Sequence, residues 1–147
     1  MFTRILIPTD GSPLSSKAAR AGVAFARENG ARVVGYHALA PAPAHLYGEG
    51  WVADRTVLQE LGKRNRQSAG KYLDAIAREA RKAGVPFEGL MDTPRTPYEG
   101  IAAAARRRKC DLIFMASHGY RGLARLMLGS VADRVVRLSQ VPVLFHR

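Results

Sequence analysis

The run Leu112-Ile113-Phe114-Met115-Ala116-Ser117-His118-Gly119 begins as unbroken apolar chain and ends in small polar residues and a glycine. A strand with one wet face alternates apolar and polar side chains. An unbroken apolar strand is covered on both faces, as in a parallel sheet enclosed by helices. Outward from it, further short apolar runs occupy Phe2–Ile7, stopped by Pro8, then Arg32–Leu39, Val85–Met91 and Val141–Phe145. Helical patterns separate them. Ser12-Pro13 opens the first, with Leu14, Ala18, Ala21, Phe25 and Ala26 on one face and Gly30 as its stop. The second spans Ala53 to Ala83, carries Val57, Leu58, Leu61, Ala69, Tyr72, Leu73, Ile76 and Ala80 along one stripe, and stops at Gly84. Such a helix is about 45 Å long, against about 20 Å for a strand of ordinary length, so one end should project beyond the sheet. Thr96-Pro97-Tyr98-Glu99 reads as a capping box with proline in the first turn, and its helix closes on the basic run Arg106–Lys109. Ser130 is read as the cap of a last helix, Val131–Leu138. The alternation predicts an α/β fold: a doubly wound, open five-stranded parallel sheet in the order 3-2-1-4-5, one domain over residues 1–147.

Composition bounds the function. The 147 residues are 47% hydrophobic, which excludes a disordered tail. Lys and Arg number 23 against 12 Asp and Glu, giving a net charge of +11 and a pI near 10.7. That excess points first to a polyanion: nucleic acid, nucleotide or anionic membrane. Cys110 is the lone cysteine, which excludes an internal disulfide and a cysteine metal cluster, and it reads as a small buried residue. The histidines show no metal-ligand spacing. No apolar run approaches the roughly 20 residues of a membrane span, and the start, Met1 to Pro8, is too short and too soon interrupted for a signal peptide. The expected location is the cytoplasm, without a membrane partner.

In an open α/β sheet, ligands bind beyond the carboxyl ends of the strands where strand order reverses. Here that point lies between strands 1 and 4. Strand 1 ends in Pro8-Thr9-Asp10-Gly11-Ser12 and strand 4 in Met115-Ala116-Ser117-His118-Gly119, so the two should face each other. Nine residues after Gly119 come Gly129-Ser130, at the start of a helix. Free N–H groups and the helix dipole there make an anion site. The Ser117 and Ser130 hydroxyls are further donors to phosphate oxygens. Arg121 and Arg125, in the insert, read equally as phosphate ligands or as a solvated basic loop. His118 reads as a structural or phosphate-proximal histidine, because no carboxylate or nucleophile stands at a fixed spacing from it.

These segments resemble the universal stress protein family, whose ATP-binding members carry Gly-x2-Gly-x9-Gly-(Ser/Thr) after strand 4. The matching residues are Ala116-x2-Gly119-x9-Gly129-Ser130, with Ile7-Pro8-Thr9-Asp10-Gly11-Ser12 at strand 1 and Val141-Pro142-Val143-Leu144 at the close. The resemblance covers essentially the whole chain and implies an adenine nucleotide alpha hydrolase-like fold. It implies that Asp10 lies beside base and ribose, next to Pro8 and Thr9. Ala38 and Met115 would pack on adenine, and Gly119, Gly129, Ser130 and Val131 would bind phosphates. Ala116 departs from the pattern, and its methyl group raises the question of crowding or of a backbone needing positive φ. The resemblance further implies bound ATP or ADP, Mg2+ carried by the phosphates, and a homodimer formed through the edge strand Val141–Arg147.

The chain has no P-loop lysine of the G-x4-G-K-(S/T) type and no evident catalytic base, so hydrolysis would at most be slow. The leading reading is an ATP-binding stress-response regulator in which the nucleotide acts as a switch. One alternative is a family member acting only through its dimer surface. A second is a receiver-like phosphoacceptor, for which Asp10 and Asp92 stand at strand ends but the acidic pair and the terminal lysine are missing. Charge alone suggests nucleic acid, and no motif for specific reading of it is present.

Overall fold

The computed structural model describes residues 1–42, 55–118 and 127–147. Along them run β1 (Arg4–Pro8), α1 (Pro13–Asn29), β2 (Arg32–Ala38), α2 (Arg55–Ala83), β3 (Phe87–Asp92), α3 (Pro97–Arg107), β4 (Leu112–Ala116), α4 (Ser130–Leu138) and β5 (Val143–His146). The strands form one five-stranded sheet in the order β3-β2-β1-β4-β5, and every pairing in it is parallel. Both the order and the doubly wound class match the sequence reading.

Alternate strand residues feed two cores, as a pleat of period two requires. Ile5, Ile7, Val33, Leu112 and Phe114 pack with Val23 and Ala26 of α1 and Ile76 and Ala80 of α2. Leu6, Val34, Tyr36, Ile113 and Met115 pack on the opposite face with Ile101 and Ala104 of α3 and Val135 of α4. Buried apolar area of this kind is the main stabilising term, at about 25 cal/mol per Å².

The helix ends follow their local chemistry. Ser12 caps α1 by accepting from Ser15 N at 3.1 Å, with Pro13 in the first turn. Thr96 caps α3 by accepting from Glu99 N at 3.4 Å. The Thr96 backbone N–H in turn interacts with the Glu99 carboxylate, as the expected capping box requires, and that carboxylate also takes the Arg95 guanidinium, with Nε at 3.1 Å. At α4 the cap is Gly129, extended at φ −60° and ψ 155°, and Ser130 is the first helical residue. Ser130 is therefore not the cap expected from the sequence, and no side chain among the described residues caps this helix.

Helix α2 has 29 residues, and its buried positions, Ala69, Leu73, Ile76 and Ala80, all lie in its second half. Everything from Arg55 to Ser68 is exposed or half-exposed, so the long helix does project beyond the sheet. The expected start at Ala53 lies outside the described residues.

Candidate functional site

Strand β1 pairs with β4 at Ile5–Leu112 and Leu6–Ile113. On its other side β1 stays paired with β2 as far as Pro8–Tyr36, and β4 stays paired with β5 as far as Ala116–His146. The sheet therefore opens at one seam, at the carboxyl ends of β1 and β4. A cavity of about 630 Å³ lies there. Pro8, Thr9, Asp10 and Ser15 line it from the β1 side, and Tyr36, His37 and Ala38 from the end of β2. Met115, Ala116, Ser117 and His118 close it from β4, Met127 to Ala132 from the start of α4, and Pro97 and Ile101 from α3.

The β1 turn is tightly bonded. Asp10 Oδ1 accepts from Ser12 N at 2.9 Å and Thr9 Oγ1 accepts from Gly11 N at 3.1 Å. Gly11 has φ +79°, and a Cβ there would fall 2.3 Å from the Tyr72 ring, so the turn needs glycine twice over. His37 Nδ1 lies 2.8 Å from Thr9 O. A carbonyl only accepts, so Nδ1 carries the proton. The His37 ring packs on Tyr72 at 5.4 Å between centroids. Below the cavity, the buried Tyr36 hydroxyl donates to Asp92 Oδ1 at 2.6 Å, and Arg107 pairs with the other Asp92 oxygen. Burial, and then the Asp92 hydrogen bond, push the Tyr36 hydroxyl far above the ordinary phenol range. Burial works to raise Asp92, but the Tyr36 hydrogen bond and Arg107 outweigh it and hold the carboxyl below its usual value.

On the β4 side, Gly129 N donates to Ser117 O at 2.8 Å. A Cβ on Gly129 would meet that same oxygen at 3.1 Å and His118 Cα at 3.4 Å. Glycine here allows the start of α4 to press against the end of β4. The α4 amino terminus then presents its unpaired N–H groups to the opened seam. Ser117 Oγ lies 3.0 Å from His118 Nδ1, while His118 Nε2 is buried without a hydrogen-bond partner among the described residues. Ala116 lies in β4 in register with His146, and Lys109 is the one non-glycine residue with positive φ among the described residues. The Ala116 backbone thus has no conformational need for glycine, and its methyl group forms cavity wall.

Among the described residues, the structure gathers Pro8, Thr9, Asp10, Ala38, Met115, Ala116, Ser117, His118, Gly129, Ser130 and Val131 around one cavity. Gly119 and Arg121, with Arg125, lie outside the described residues. Sequence reasoning missed Ser15, Tyr36, His37, Pro97, Ile101, Met127, Leu128 and Ala132. Tyr36 and His37 precede Ala38 at a strand's carboxyl end, so the strand-end rule, extended to strand 2, would have found them. Pro97 and Ile101 had no such signal, because only the tertiary fold brings α3 to the seam.

A model of the universal stress protein family matches residues 1–147. The chain belongs to that family. This universal stress protein is 36% identical over 146 residues to Universal stress protein MJ0531 of Methanocaldococcus jannaschii, covering 98% of this chain and 81% of that one. It is 36% identical over 148 residues to a universal stress protein of Thermus aquaticus, covering 100% of both. The solved structure of MJ0577 of Methanocaldococcus jannaschii superposes with a TM-score of 0.82 at 26% identity, covering 99% of this chain and 95% of that one.

Proposed function

We propose that this universal stress protein binds an adenine nucleotide in the opened seam, and that ATP or ADP held there acts as its switch. The observation that carries the reading is the close approach of Gly129 to Ser117, which sets the free N–H groups of α4 against a cavity of about 630 Å³. That volume suits a nucleotide-sized ligand. Asp10 takes the ribose, Ala38 and Met115 take the adenine faces, and Thr9, Ser117 and Ser130 supply hydroxyls. The backbone at Gly129, Ser130 and Val131 takes the phosphates, with the buried His118 Nε2, unpartnered among the described residues, close by. Gly119 and Arg121 belong to the same proposal from sequence alone. Mg2+ would ride on the phosphates; among the described residues no cluster of His, Cys, Asp or Glu stands ready to hold it.

Structures of the same fold support the choice of ligand. Universal stress proteins have been solved with AMP (Arabidopsis thaliana, 16% identical), dAMP (Archaeoglobus fulgidus, 20%) and cAMP (21%). Residues 1–147 act as one domain in this reading, in the cytoplasm, as a homodimer through the β5 edge and its flanks, Val141–Arg147. No helix among the described residues is long and apolar enough to cross a membrane.

Heat-releasing and chromatographing whatever co-purifies with the protein tests the site, together with thermal shift in ATP, ADP and AMP with and without Mg2+. A retained adenine nucleotide, or stabilisation by one of them, is expected; neither retention nor stabilisation would overturn the reading. Sedimentation equilibrium tests the dimer separately.

A further inference from the structure

We propose that the amino-terminal edge of the sheet, opposite the cavity, docks the phosphodiester backbone of nucleic acid without regard to sequence. The topology creates this edge. Each crossover helix runs back against its strands, so α1, α2 and α3 all end where strands begin. Hydrogen bonds bind that edge together: Arg32 N to Thr3 O, Asp111 N to Arg4 O, and Arg4 Nη1 to Arg108 O at 2.6 Å.

The cations gathered there are in excess. Arg27 closes α1, Arg81 closes α2, Arg106 and Lys109 stand at the close of α3, and Arg32 opens β2. All are exposed, and among the described residues none makes an ion pair. The neighbouring carboxylates are engaged: Glu79 with Lys82, Glu88 with Arg108, and Asp111 with Thr3 and Arg4. Glu28 remains as the exposed carboxylate without an ion pair there. A helix dipole offers its carboxyl end only about half a negative charge, so three helix ends do not neutralise this set. Like charges fixed on a rigid frame sustain a positive potential that an external polyanion relieves.

The chemistry favours nucleic acid over a bilayer. Membrane-surface binding uses one amphipathic helix with cations flanking an apolar face. Here the cations sit on three helix ends and a strand start. Most are arginines, whose planar fork suits phosphate. Phe2 and Phe87, aromatic residues beside the edge, pack against the core, so among the described residues no stacking platform for bases accompanies the charges. Contacts confined to phosphate position a protein without reading sequence. Because the cavity opens at the other edge, both sites can be filled at once.

The test is titration of a labelled 20-base-pair DNA duplex at several salt concentrations. The association constant should fall with salt on a log–log slope of about −3 to −4. Arg32→Gln with Arg106→Gln should make that slope shallower by about two, and leave any nucleotide-induced thermal shift unchanged. Lys63→Gln with Arg66→Gln removes equal charge from the projecting part of α2 and should leave the slope as it was. If the first pair perturbs the circular dichroism spectrum, Arg27→Gln with Arg81→Gln carries the same expectation. Equal losses in the edge and α2 variants would reduce the effect to net charge and overturn the proposal. So would absence of salt-dependent binding, or equal affinity for polyglutamate or for phosphatidylglycerol vesicles.

Discussion

The two edges of the sheet differ in how their strands are connected. At the amino edge the helix-to-strand links are short, such as Gly30–Ala31 before β2 and Arg108–Asp111 before β4, and hydrogen bonds join β1, β2 and β4 directly. At the carboxyl edge the strand-to-helix links include the two longest, residues 39–54 and 117–129, and β1 parts from β4. One edge is fastened and cationic. The other is open, and among its described lining residues Asp10 is the only carboxylate and there is no lysine or arginine. The total charge of the chain therefore says little about where its concave site lies. Small residues and a helix amino terminus shape that site, and arginine and lysine mark the opposite end.

The comparison can be broken at either edge. The largest effect belongs to Gly129→Leu, which drives a side chain into Ser117 O and His118 Cα. Adenine-nucleotide affinity should fall about a hundredfold, or about 2.7 kcal/mol, measured by calorimetry, while duplex binding persists. Asp111→Ala strips the amino edge of the acceptor for Thr3 N, Thr3 Oγ1 and Arg4 N. It should cost about 2 kcal/mol in urea denaturation. Burial pulls the Asp111 pKa upward, but the Thr3 and Arg4 hydrogen bonds outweigh it and hold the carboxyl below its ordinary value. Its stabilisation is thus complete above the unfolded value of about 3.9 and is lost as pH falls through the lower native value. Acid titration of the wild type should show that loss, and Asp111→Ala should flatten it. Tyr36→Phe removes one of the two partners of Asp92 and should cost about 1 kcal/mol, with the remaining Arg107 pair keeping α3 in place. Ala116→Gly is the smallest change. Its backbone needs no positive φ, so the expected effect is under about 1 kcal/mol of lost strand stability, with little change in affinity.

Much of the fold was legible because unbroken apolar strands admit few architectures, and Ser12-Pro13, Thr96-Pro97, Gly30 and Gly84 mark helix ends by local chemistry. Strand order followed from connectivity rules. The β1 and β4 walls of the site were legible for the same reason, as they are strand ends. Ser130 was misplaced by one position because a Gly-Ser pair offers two possible caps. The tie-breaker, Gly129 N reaching Ser117 O, is a contact between residues far apart in sequence. Glu99 satisfies the spacing of a capping box and interacts with Thr96, while its further ion pair with Arg95 is not announced by that spacing. The walls from α3 and the Tyr36–Asp92–Arg107 network arise only when strands 2 and 3 pair and α3 crosses them. Cys110 behaves as read: it is buried, and burial pushes its thiol up to about 11.

The overhang of α2 makes a single helix keep two clocks. From Ala69 to Ala80 its amides are protected by the packing of the whole sheet and should exchange with deuterium only on global unfolding. From Arg55 to Ser68 no core burial supports the helix, and a segment of that length is marginal by itself in water. Its amides should exchange orders of magnitude sooner. Among the described residues, trypsin should cut first at Lys63, Arg64 or Arg66, leaving the sheet intact and making the connection between β2 and β3 a place where this protein yields without unfolding.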